Sequence, residues 1–185
     1  MKVKVRFINE DAKALYLKAS KEKSIFPFKE HDSDFCYDVV ATSREEVAPN
    51  VYKYGIGLAF QIERTIEEIE SAVRLVLNDD NVRLVASRYL DMWRSPLNLS
   101  IDFRPRSSVW KTGMVLANCE GTIDEHYTGE VAAIFYDLLP DMPNYEIGDR
   151  IGQIKIGATF PIEFVEVDSL DSTERGDGGF GSTGK

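Results

Sequence analysis

Leu116-Ala117-Asn118-Cys119-Glu120-Gly121-Thr122-Ile123-Asp124-Glu125-His126-Tyr127-Thr128-Gly129-Glu130 holds two glycines, a carboxamide, an aspartate and a tyrosine in one short stretch. Gly121 and Gly129 bracket a predicted β-hairpin. Asn118 offers both a donor and an acceptor, which suits it to a base edge, and Asp124 is suited to take a proton from water. The surrounding sequence continues as short strands. Predicted runs are Lys2–Ile8, Phe35–Ala41, Gly55–Ile62, Leu97–Phe103, Val115–Asn118, Gly129–Leu138, Arg150–Ile156 and Thr159–Val167. Turn signals such as Pro140-Asp141 and Ile147-Gly148-Asp149 separate them, so the pattern points to an antiparallel sandwich, barrel or jelly roll.

One segment departs from that pattern. Thr65-Ile66-Glu67-Glu68 is a capping box, and Ile66, Ile69, Val73 and Val76 follow at helical spacing. Asn78-Asp79-Asp80-Asn81 interrupts this helix, and Val82, Val85, Tyr89 and Met92 start another before Ser95-Pro96 ends it. Residues 65–95 therefore read as a helical hairpin inserted between strands, either a flap over a sheet edge or a surface for a protein partner.

The chain of 185 residues suits a single domain with 43% hydrophobic residues, enough for a real core. A net charge of −9 argues against non-specific binding to nucleic acid or anionic membrane. It leaves room for a polyphosphate ligand, which needs only a few local cations and amides. Cys36 and Cys119 are too few for a disulfide framework, and the first residues lack the apolar run of a signal peptide. These features predict a soluble, cytoplasmic protein. At the other end, residues 168–174 are polar, and Arg175-Gly176-Asp177-Gly178-Gly179-Phe180-Gly181-Ser182-Thr183-Gly184-Lys185 is glycine-rich. Ordering such a tail costs roughly 1–2 kcal/mol per residue, so a ligand must offset it. Glycine amides, hydroxyls and an arginine suit phosphates, and Phe180 suits a base. Residues 168–185 read as a flexible lid.

Taken together, five segments in order resemble the motifs of the trimeric dUTPase family. They are Asp34-Phe35-Cys36-Tyr37-Asp38, Pro105-Arg106-Ser107-Ser108, Asn118 through Tyr127, Gly148-Asp149-Arg150-Ile151-Gly152-Gln153, and the tail from Arg175. Gly57-Leu58-Ala59-Phe60 also matches a family strand, and the resemblance spans nearly everything outside residues 65–95. It implies an all-β jelly roll (β-clip) carrying the helical insertion, assembled as a homotrimer with sites shared between subunits. It implies a dUTP diphosphatase that yields dUMP and pyrophosphate with Mg²⁺. By this resemblance Asp124 activates the water that attacks the α-phosphorus, Tyr127 packs under the deoxyribose, and Asn118, Gly121 and Ile123 meet uracil. Arg106, Ser107, Ser108 and Gln153 face the phosphates, Asp38 holds the metal through water, and Arg175, Phe180, Gly181, Ser182 and Thr183 close the site.

The departures are local. Phe35-Cys36 replaces a small Ala-Gly pair, Glu125-His126 stands where Ser-Asp is frequent, and Gly152 stands where alanine is usual. His126 is a weaker candidate base than its neighbour Asp124. Two alternatives remain at this level: a dCTP deaminase-like enzyme on the same fold, and a dUTPase whose insertion at 65–95 docks a regulatory protein.

Overall fold

The computed structural model describes residues 2–21, 26–63, 98–160, 162–174 and 176. In chain order its elements are β1 (Lys2–Phe7), α1 (Glu10–Ala19), β2 (Tyr37–Val40), β3 (Ser43–Ala48), β4 (Val51–Gly55), β5 (Leu58–Glu63), β6 (Asn98–Pro105), β7 (Met114–Leu116), β8 (Gly121–Asp124), β9 (Ala132–Asp137) and β10 (Arg150–Thr159). A short 3-10 turn, Ser107–Lys111, follows β6. All strand pairs are antiparallel. One four-stranded sheet runs β2-β10-β6-β8, a second runs β3-β4-β9-β7, and β1 pairs with β5. This is the all-β sandwich of jelly-roll type that the alternation predicts.

The core lies between the two larger sheets. In β6, Ile101 and Phe103 point inward, while Ser100, Asp102 and Arg104 alternate onto the other face. Tyr54 and Phe135 come from the second sheet, with ring centroids 5.8 Å apart, and Phe103 meets Phe135 edge-on at 6.4 Å. Each such ring contributes about 1.5–3 kcal/mol by leaving water. The Phe103 ring also fills the space beside Gly152, where an added Cβ would lie 2.2 Å from its Cζ. That contact accounts for glycine at a position where alanine is usual.

A second aromatic cluster joins Phe7, Tyr16, Phe26 and Phe28. Tyr16 is fully buried, and its hydroxyl is satisfied on both sides. It donates to the Ile56 carbonyl at 3.0 Å and accepts from the Val40 amide at 3.3 Å. Burial pushes this hydroxyl's pKa up, and the Val40 hydrogen bond only partly opposes it.

Four features differ from the expectations. Helix α1 was not among the predicted elements. Asn9 caps it by accepting from the Ala12 amide at 2.8 Å, with Glu10 and Asp11 in the first turn. Only Ala12 and Tyr16 on this helix are buried hydrophobics, too sparse a stripe to declare a helix by periodicity. The β3–β4 hairpin was also missed, because every residue of β3 is exposed and no apolar alternation marks it. The stretch that Gly121 and Gly129 bracket does not pair with itself as a hairpin: β8 crosses to β6, whereas β7 before it joins β9 in the other sheet. Cys119, in the left-handed region at φ 58°, makes the turn between them. Finally, Thr159 ends β10, and residues 162–167 have no strand beside them among the described residues to take their backbone hydrogen bonds. The predicted helical insertion at 65–95 lies outside the described residues, as do Arg175 and residues 177–185. Among the described residues, no helix is long and apolar enough to cross a membrane.

Candidate active site

Strand β8 delivers Ile123 and Asp124 to the rim of the fold. The turn that follows is closed by the Tyr127 amide donating to the Asp124 carbonyl at 3.0 Å. Glu125 accepts from the Leu99 amide at 3.4 Å and so anchors the same turn to β6. The Tyr127 ring folds back over Gly129, with its hydroxyl donating to the Glu130 carbonyl at 2.9 Å. A Cβ at Gly129 would lie 2.6 Å from that hydroxyl, so the ring's position requires glycine there. Ile123, Asp124 and Tyr127 line one cleft of about 480 Å³ together with Lys53 and Glu130. Asp124 also borders a neighbouring cleft of about 440 Å³ lined by Ser100, Asp102 and Lys155. Asp124 is exposed and so open to water, and among the described residues its carboxylate has no ion-pair partner. Asn118 is exposed on the turn before β8, and its amide nitrogen lies 3.8 Å from where a Cβ on Gly121 would stand.

A second polar cluster gathers on Asp38 of β2, which is only 4% exposed. Gln153 Nε2 donates to Asp38 Oδ1 at 3.1 Å, and Arg106 Nε lies 3.4 Å from the same oxygen. Arg150 donates to Asp38 Oδ2 at 3.1 Å and to Glu30 Oε2 at 3.0 Å. Lys21 completes the chain at 3.0 Å from Glu30. The Lys21 ammonium, with help from Arg150, holds the Glu30 carboxyl below the usual carboxylate range. Arg106 leads directly into Ser107 and Ser108 at the start of the 3-10 turn. Two guanidiniums and a carboxamide therefore converge beside one buried carboxylate, an arrangement able to receive an anion.

The two clusters occupy opposite corners of one sheet face. Asp38 pairs with Gln153 and Gln153 with Arg104, while four residues along β10 Gly157 pairs with Ser100 and Ser100 with Asp124. The even spacing keeps all of these side chains on the same face. Three strand steps across and four residues along separate Asp124 from Asp38 by roughly 20 Å. The Asp102–Lys155 ion pair and Thr122 lie between them. The fold of one chain thus brings Asp124, Ile123 and Tyr127 together and Asp38, Arg106 and Gln153 together, and it holds the groups apart.

Residues 89–184 match the dUTPase family model. The chain belongs to the dUTPase family. The deoxyuridine 5'-triphosphate nucleotidohydrolase of Fusobacterium nucleatum is 45% identical over 91 residues, covering 49% of this chain and 62% of that protein. That of Finegoldia magna is 44% identical over 90 residues, covering 48% and 63%. In these alignments the chain spans about three fifths of those relatives. The Clostridium novyi protein of the same name is 29% identical over 171 residues, covering 92% of this chain and 98% of its own. Among solved structures, a point mutant of the Staphylococcus bacteriophage 80alpha dUTPase with dUpNHpp shares the fold at a TM-score of 0.57 and 17% identity, covering 100% of this chain and 99% of that one. The phage phi11 dUTPase described with a species-specific insert does so at 0.55 and 15%, covering 94% and 100%.

Family membership accounts for the ordered motifs, but two neighbours of the site were not legible in them. Lys53 enters the Asp124 cleft from β4, a strand without alternation. Glu130 hydrogen-bonds the Gly57 amide at 2.9 Å, a contact between residues 73 positions apart. Pro49-Asn50 is the turn signal between β3 and β4.

Proposed function

We propose that this chain is a dUTP diphosphatase, hydrolysing dUTP to dUMP and pyrophosphate. The observation that carries the proposal is Asp124, open to water, sharing one cleft with Ile123 and Tyr127 within the segment matched to the dUTPase family. Asp124 acts as the general base that takes a proton from the attacking water, a role worth about 10²–10⁴-fold. Tyr127 lies under the sugar and leaves no room for a 2′-hydroxyl. Asn118, Gly121 and Ile123 meet uracil. Arg106, Ser107, Ser108 and Gln153 bind the phosphates and balance the charge that develops on pyrophosphate as it leaves. Arg175, Phe180, Gly181, Ser182 and Thr183 close over the nucleotide.

The donor set around Asp38 fits Mg²⁺ held through water rather than directly. Both Asp38 oxygens already meet protein groups, and a single carboxylate facing two guanidiniums lacks the negative charge to strip a Mg²⁺ of its water. Asp38 and Gln153 would orient hydration waters of an ion whose charge is met chiefly by the triphosphate. When bound, the ion supplies charge neutralisation on the leaving pyrophosphate.

The roughly 20 Å between the two corners is too long for one nucleotide site within one chain. We therefore assign each site to two or more copies, in a homotrimer where one subunit's Asp124 corner faces another's Asp38 corner. Pyrophosphate release across dUTP, dCTP, dTTP and UTP tests the activity. Turnover restricted to dUTP is expected. Ammonia release from dCTP would instead favour a deaminase.

A further inference from the structure

Glu130 is bound at both ends of the residue. Its carboxylate accepts from the Gly57 amide at 2.9 Å, and its carbonyl accepts from the Tyr127 hydroxyl at 2.9 Å. Three glycines make room for this arrangement. A Cβ at Gly55 would lie 2.5 Å from Glu130 Oε1, and one at Gly129 would lie 2.6 Å from the Tyr127 hydroxyl. Gly57 adopts φ +66° against α1, where a Cβ would lie 2.6 Å from Ala12 Cβ. The Gly57 loop is fixed in turn from beneath, because the buried Tyr16 hydroxyl donates to the Ile56 carbonyl. Backbone bonds from the Ile56 amide to the Val131 carbonyl and from the Val131 amide to the Leu58 carbonyl, both 3.0 Å, run alongside. A rigid path therefore leads from the core through Gly57 and Glu130 to the exposed ring of Tyr127.

We infer that Glu130 is a positioning residue that sets the Tyr127 ring and thereby the selection of a deoxyribose over a ribose. This rests on the dUTP-hydrolysing reading of the site. Tyr127 is 49% exposed, so its surroundings do not hold the ring by packing alone. The carbonyl that takes its hydroxyl belongs to a residue whose own side chain is tethered to the β4–β5 loop. Without that tether the turn at 127–130 gains freedom, and the ring can yield to a 2′-hydroxyl.

The test is the ratio of kcat/KM for dUTP over UTP. Glu130→Ala is expected to lower the ratio about tenfold, the effect of one lost hydrogen bond, mostly by admitting UTP. Glu130→Asp keeps the charge but falls one methylene short of Gly57, so the same direction is expected. Glu130→Gln keeps an acceptor and should retain the wild-type ratio. Tyr127→Phe combined with Glu130→Ala should lower the ratio no further than the larger single effect, because both act on one tether. Thermal midpoints identify any variant that fails to fold, in which case Glu130→Asp decides. An unchanged ratio in a folded Glu130→Asp protein, or an equal loss on both substrates, overturns the inference and leaves the activity standing. Wild-type protein inert towards dUTP overturns the activity itself, and the inference with it.

Discussion

Mixing two inactive variants should restore activity. Asp124→Asn removes the base at one corner of the β2-β10-β6-β8 sheet, and Arg106→Ala removes the guanidinium beside Asp38 at the other. Alone, the first should lose about 10²–10⁴-fold. The second should lose about 10²–10³-fold, as for the removal of a donor to developing charge. The corners are roughly 20 Å apart in one chain, so under the proposed assembly a working site takes Asp124 from one copy and Arg106 from another. In a ring with head-to-tail contacts, each site draws independently on two neighbours. After equal mixing and subunit exchange, a site is intact when an Arg106→Ala chain supplies Asp124 and an Asp124→Asn chain supplies Arg106. Random assembly makes about a quarter of the sites intact, so about 25% of wild-type turnover should return. The assay is pyrophosphate release after co-refolding, with each variant refolded alone as the baseline. A companion mixture separates the geometries further. When both substitutions sit on one chain and that chain is mixed equally with wild type, shared sites retain about a quarter of full turnover and sites within one chain about half. Recovery no greater than the baseline, together with half activity in the companion mixture, would refute the split site.

Three further outcomes follow from the packing. Gly152→Ala drives a Cβ to 2.2 Å from Phe103 Cζ and should cost about 1–3 kcal/mol by denaturant titration; trimming the ring with Phe103→Leu should recover part of that loss in the double variant. Tyr16→Phe leaves the buried Val40 amide without its acceptor and should cost about 1–3 kcal/mol, with an unchanged denaturant slope. For Asp102, burial raises the pKa, but hydrogen bonds from Lys155 and Ser100 outweigh it and hold the carboxyl below its ordinary value. A depressed folded-state pKa gives stability that is present above the unfolded value of about 3.9 and is lost as pH falls through the folded one. Melting temperatures of the wild type should therefore drop more steeply below that pH than those of Asp102→Asn, and parallel curves would remove the pair from the account.

The motifs were legible because they are local. Gly148 through Gln153 and Pro105 through Ser108 are contiguous runs whose residue types announce their chemistry, and the described structure gathers Arg106, Gln153 and Asp38 at one place. The alternation in β6 and β10 was equally plain, since one face of each strand packs on the core. Helix α1 and the β3–β4 hairpin were not, for physical reasons. Helix α1 and β3 bury few side chains, so burial imposes little pattern there, and β4, although it buries Tyr54, is too short to show an alternation. Their signals are local caps and turns instead: Asn9 before Glu10-Asp11, and Pro49-Asn50 between β3 and β4.

Distance was the part no motif could convey. Asp124 and Asp38 both belong to segments of the family pattern, and the resemblance implies sites shared between subunits without saying which segments one chain brings together. Strand order decides that. β8 could have closed a hairpin within the stretch that Gly121 and Gly129 bracket, as those glycines suggested. Instead the left-handed turn at Cys119 sends it across to β6, at the edge of the sheet opposite β2. That edge placement puts Asp124 at a rim, with its carboxylate open, and puts Asp38 at the far rim, with its arginines already seated. Within one chain this placement keeps Asp124 apart from Arg106 and Arg150, although Lys53 lines its cleft. On the proposed assignment the two corners meet across an interface between copies, so assembly would complete the site.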